Sequence, residues 1–133
     1  MAGYSGKPLV EKLGVKASHR LALVAAPEGF SRELEPLPAG VRVHAGRGPL
    51  DCVLLFAPDR AALRAGFPRW AARLTPAGML WIAWPKKAAK VATDLDENVV
   101  REIGLAAGLV DVKVCAVNEV WSGLKFVRRL RDR

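Results

Sequence analysis

A chain of 133 residues, 51% hydrophobic and 26% charged, is long enough for one core and too short for two, so residues 1–133 are read as a single domain. Its 21 Lys and Arg against 13 Asp and Glu give a net charge of +8, yet the apolar content excludes intrinsic disorder. No apolar run reaches the roughly 18 to 20 residues of a membrane-spanning helix, and Met1 to Lys16 lacks the apolar segment of a secretory signal; a cytoplasmic protein with no membrane partner is expected.

Pro8 to Leu13 reads as a short helix with proline near its start and Gly14 past its end. Arg20 to Ala26 is an apolar run stopped by Pro27, short enough for a strand buried on both faces. Glu28 to Leu34 allows one or two helical turns before Pro36 and Pro38, and Val41 to His44 is a second, short strand. Cys52 to Ala57 is a third strand, ended by Pro58, with Asp59 placed to cap the next helix. In that helix Leu63, Phe67, Trp70 and Leu74 recur at helical spacing across Pro68, which should kink or restart it.

Thr75 to Gly78 reads as a turn and Met79 to Trp84 as the fourth strand, whose Trp81 and Trp84 fall on opposite faces of the core. Thr93, Asp94, Asp96 and Glu97 signal a helix start; Val99, Ile103, Ala106 and Ala107 form its expected inner face, and Gly108 ends it. Val110 to Val117 and Gly123 to Leu130 lie too close in sequence for a crossover helix and should form an antiparallel hairpin. Strict alternation would put Asp111 and Lys113 together on its outer face. Cys52 and Cys115 sit in apolar runs without metal-ligand or CxxC spacing and read as buried small hydrophobes.

Strands alternating with helices predict an α/β fold: a mainly parallel, Rossmann-like sheet with helices on both faces and a C-terminal antiparallel hairpin. From Arg20 to Leu130 this layout resembles the class I methyltransferases, in which the last strand inserts beside the fifth. GYSG at Gly3 to Gly6, ALVAAPEGF at Ala22 to Phe30, WPKKAAKVATDL at Trp84 to Leu95 and LVDVKVCAVNEVWSGLKFV at Leu109 to Val127 resemble a bacterial family, domain of unknown function 3052. That resemblance implies a small stand-alone bacterial protein and supplies no catalytic residues.

Open parallel sheets bind ligands beyond the carboxyl ends of their strands. The segments leaving there carry Glu28 and Gly29, His44, Arg60, and Lys86 with Lys87, and the hairpin turn adds Glu119 and Trp121 on the same side. Lys86 and Lys87 could hold a phosphate or carboxylate; Trp121 could stack a ring or plug the core; His44 with Glu28 or Glu119 could move a proton. AAPEGF has one glycine and a proline where a dinucleotide fingerprint has a glycine-rich turn, and the second strand ends in His44 rather than a carboxylate. No strand-to-helix elbow carries a nucleophile and no acidic cluster suits a metal.

The leading reading is therefore a small binding or regulatory module capturing an anionic small molecule, with no cofactor and no metal. One alternative is a reduced S-adenosylmethionine-dependent methyltransferase. Another is a nucleic-acid-binding protein, using Arg128, Arg129 and Arg131 in a basic tail at the far edge of the sheet. An exposed hairpin edge could also pair two copies into a homodimer.

Overall fold

The computed structural model describes residues 7–43 and 46–133. Six strands form one sheet, β1 (Arg20–Val24), β2 (Arg42–Val43), β3 (Leu50–Phe56), β4 (Leu74–Pro85), β5 (Leu109–Ala116) and β6 (Trp121–Arg128), in the order β2-β1-β3-β4-β6-β5. The first four are parallel, and β6 lies antiparallel between β4 and β5. The α/β class, the mostly parallel sheet and the closing hairpin all match the sequence reading.

β3 and β4 read as unbroken apolar runs because both their faces are covered. One face packs under α2 (Arg60–Ala71) and α3 (Glu97–Ala106), burying Val53, Leu63, Phe67, Leu80, Ile82, Val100 and Phe126 among others. The other packs under α1 (Leu9–Lys12) and the 3₁₀ helix Phe30–Leu34, burying Leu13, Phe30, Phe56, Trp81 and Cys115. Trp81 and Trp84 are both buried, on opposite faces, and both cysteines are buried. The Trp81 indole N–H donates to the Leu13 carbonyl at 2.9 Å, pinning the end of α1 to the sheet.

Local chemistry sets the helix starts. Asp59 and Asp96 are the N-caps of α2 and α3, their carboxylates accepting from Ala62 and Val99 N–H at 2.9 and 2.8 Å. Four expectations need correcting. Pro68 neither splits nor restarts α2, which runs through it from Arg60 to Ala71; Leu74 belongs to β4, while Trp70 packs partly against the core with Arg69 and Arg73 over its ring. Residues 75–78 form no separate turn but lie inside β4, where the register to β3 shifts between Leu50 and Cys52.

The buried stripe of α3 centres on Val100 and Gly104, leaving Ala106 and Ala107 exposed. A side chain at Gly104 would collide with the Phe126 ring, so the glycine is what lets the helix backbone settle on β6. Finally, Asp111 and Lys113 do not share a face. A bulge between them sends Asp111 to Arg101 of α3 at 2.9 Å, while Lys113 Nζ reaches the Lys12 carbonyl on the other side at 3.3 Å.

Candidate functional site

At the carboxyl ends of the parallel strands the chain exits are tied to one another. After β3, the Pro58 carbonyl accepts from Thr93 Oγ1 at 2.7 Å, and Asp94 accepts from Arg60 N–H at 2.8 Å. Thr93 and Asp94 thus join the approach to α3 to the β3 exit rather than starting the helix. After β4, Lys86 N–H donates to the Val120 carbonyl at 2.8 Å, fixing this exit to the hairpin turn. The turn is built on Asn118, whose side-chain oxygen accepts from Val120 and Trp121 N–H at 2.9 and 3.0 Å and whose amide donates to Glu33 at 3.1 Å. Asn118 is a positioning residue missed by the sequence reading, although an asparagine opening a hairpin turn is a recognisable signal.

An open hollow of about 350 Å³ lies between the β4 exit and the start of α3, lined by Trp84, Pro85, Lys86, Lys87, Leu95, Asp96, Glu97, Asn98 and Ser122. It contains the lysine pair as expected, and it adds Asp96, Glu97, Asn98 and Ser122, which the sequence marked only as helix start and strand. Their role follows from the crossover, since α3 begins directly over the strand exit. The hollow therefore presents both signs of charge. Glu97 is also held by Arg101 at 2.6 Å, and Asp96 turns one oxygen to its capping bond.

The other expected residues are distributed elsewhere. Trp121 turns to the α1 face, where its ring meets Phe56 edge-on at 5.0 Å, and Phe56 meets Phe30 at 4.8 Å. It plugs the core there, with the sheet between it and the hollow. Arg60 lines a different hollow of about 440 Å³ between α2 and α3, with Arg64, Phe67, Val99 and Ile103. Glu28, Gly29 and Glu119 are exposed, and His44 lies outside the described residues. Gly29 has φ +79°, and the space over its Cα is open, so a ligand can approach the backbone closely there.

Burial pushes the Cys52 thiol up to about 12, and burial likewise raises Cys115, so neither is a thiolate nucleophile near neutral pH. Among the described residues no group of three or more His, Cys, Asp or Glu could hold a metal, and no helix is long and apolar enough to cross a membrane. In the basic tail, Arg128 is committed to structure, donating to the Ala71 and Leu74 carbonyls at 2.9 and 3.0 Å, and Arg131 lies 3.9 Å from Asp132.

No protein-family model matches the chain, so the resemblance to domain of unknown function 3052 is not confirmed, and no curated protein matches it either. Solved structures do share its fold. DhpI in complex with SAH aligns with a TM-score of 0.63 at 12% identity, over 93% of this chain and 84% of that one. A SAM-dependent methyltransferase from Aquifex aeolicus aligns at 0.57 and 15% identity, over 89% and 86%. A possible exported protein from Bordetella parapertussis aligns at 0.63 and 15% identity; it covers 90% of this chain, which spans 65% of its length. The chain has the fold of the class I methyltransferases.

Proposed function

We propose that the chain is a reduced S-adenosylmethionine-dependent methyltransferase acting on a small acceptor that carries a charged group. The observation that carries this reading is the insertion of β6 between β4 and β5, which completes the sheet order shared with methyltransferases along nine-tenths of the chain. The same likeness favours this reading over a non-catalytic module. An adenosyl ligand belongs beyond β1 and β3, on whose two sides the chain proceeds in opposite directions. Glu28 offers a carboxylate for ribose hydroxyls, and Gly29 admits the ligand to the backbone.

An amide cradle is not built there. Pro27 has no N–H, and the Phe30 N–H is turned to the Pro27 carbonyl at 3.0 Å. Binding should accordingly be weak. When bound, the cofactor supplies an electrophilic methyl group. The chain's part is to bind and orient: Lys86 and Lys87 draw an anionic group of the acceptor into the hollow, two strands from β1, or about 10 Å. Buried Trp84 and Pro85 form its dry floor.

Titration calorimetry with S-adenosylmethionine and S-adenosylhomocysteine tests the cofactor half. We expect measurable heat at millimolar ligand and at least a tenfold loss on Glu28→Gln; silence at that concentration removes the methyltransferase reading. The same hollow allows one alternative to be tested, capture of an anionic metabolite at the lysine pair without reaction. In that case carboxylated or phosphorylated metabolites raise the melting temperature of the wild type and not of Lys86→Ala/Lys87→Ala, with no response to either adenosyl ligand.

A further inference from the structure

A second cationic cluster lies on the α1 face of the sheet, away from the rim hollow. Lys125 sits in the middle of β6, opposite Trp81 of β4 and Lys113 of β5. Its side chain runs over the turn after α1, where Gly14 with φ +81° brings the backbone close: a Cβ there would lie 3.8 Å from Lys125 Nζ and 3.5 Å from the Met79 methyl. The Lys125 ammonium is therefore half-buried among Gly14, Met79 and the sheet, and it makes no hydrogen bond within the described residues.

Lys113 and Lys16 both act on Lys125 and no carboxylate does; the one group acting the other way is Cys52, whose thiol burial keeps protonated near neutral pH. Asp51, next in the chain to the neighbouring Cys52, is turned away to the Arg20 N–H and the Thr75 hydroxyl. Lys12 and Lys113 are steered by the backbone: Lys12 Nζ donates to the Ala116 carbonyl at 3.0 Å, and Lys113 Nζ to the Lys12 carbonyl. Burial lowers the Lys125 pKa and Lys113 and Lys16 lower it further, while Cys52 offsets part of the shift.

Partly desolvating a lysine beside two others is unfavourable unless an anion joins them. We propose that Lys125, Lys113 and Lys16 form an anion site on the α1 face that binds a phosphate dianion, either free or as the phosphate of a small metabolite. Three ammonium groups supply point charges without the planar fork that arginine gives a carboxylate, and together they can balance a doubly charged group. The site is independent of the rim reading, because none of these residues lines the rim hollow.

Thermal unfolding at matched ionic strength in chloride, inorganic phosphate and glycerol phosphate tests the proposal. Both phosphates should raise the melting temperature by several degrees over chloride. Equal effects identify the phosphate alone as the ligand, and a larger effect of glycerol phosphate identifies a metabolite. Lys125→Met should abolish the shift and Lys86→Ala/Lys87→Ala should keep it. Lys16→Ala/Lys113→Ala changes only exposed side chains; by calorimetry it should weaken phosphate binding at least tenfold, so the test survives if Lys125→Met fails to fold. No shift with either phosphate overturns the proposal. So does a shift lost only with Lys86 and Lys87, or binding confined to a single-stranded oligonucleotide.

Discussion

One face of the sheet is covered by α2 and α3, of twelve and ten residues, each with an aspartate cap; the other is covered by α1, of four residues, and a five-residue 3₁₀ helix. Both make a dry core under β3 and β4, yet they differ toward β6. Under α3, Phe126 is fully buried against Gly104 and Phe67, its ring 5.1 Å from that of Phe67. Under α1 the neighbouring position of the same strand is Lys125, half-exposed and with no carboxylate acting on it. Long helices close a sheet face, whereas short ones leave places where polar chemistry can enter.

The strongest way to break this contrast is to remove one anchor from each face. Phe126→Ala should cost about 3–5 kcal/mol, because the helix resting on it cannot collapse into the space. Trp121→Ala removes the half-buried ring at the end of the opposite core and should cost about 1–2 kcal/mol. Denaturant unfolding measures both. A Trp121 variant as damaging as the Phe126 variant would mean that the short elements hold their face as firmly as the helices do. A double-mutant cycle between Phe56 and Trp121 sharpens the comparison, with an expected coupling of about 0.5–1.5 kcal/mol from the edge-on contact.

The same contrast decides what could be read from the sequence. β3 and β4 were legible because strands covered on both faces are apolar throughout, and Asp59 and Asp96 because a cap is a local interaction. The hairpin was legible from its spacing. In α3 Val99 and Ile103 pack against the core as read from their spacing, but Gly104 was missed in place of Ala106 and Ala107, because its value lies in the side chain it lacks against a ring 22 positions away. The Asp111 and Lys113 faces were misplaced because a bulge shifts the period without changing composition.

At the rim, the convergence of Lys86 with the hairpin turn followed from strand direction. The separation of Trp121 from the hollow did not, since it depends on which face each strand-end side chain takes. Asp96, Glu97 and Asn98 entered the site only once α3 was seen to begin above β4.

A smaller effect checks α3 directly. Asp96→Ala leaves the Val99 N–H without its acceptor and should cost about 1 kcal/mol by denaturant unfolding. The variant should also alter the rim hollow, which Asp96 lines, whereas the corresponding loss at Asp59 should leave the hollow unchanged. Equal loss of ligand response in both variants would show that the effect comes from general destabilisation and not from the wall of the hollow.

The remaining effects are electrostatic, and they have opposite signs within the α1 face. The Cys52 thiol ionises near its ordinary value of 9.0 when unfolded and only at about 12 when folded. The folded state then holds the extra proton, so this contribution to stability is complete below pH 9 and is lost as the pH rises toward 12. Lys125 works in reverse. Its folded pKa lies below the ordinary 10.5, so the unfolded chain binds more protons in that interval and stability rises with pH through it. Lys125→Met should remove the rise, and Cys52→Ala the fall, in unfolding measured from pH 7 to 11. A phosphate bound among Lys125, Lys113 and Lys16 would hold the ammonium charged, so the rise should also disappear in phosphate buffer. Its persistence there would mean that the anion sits away from Lys125.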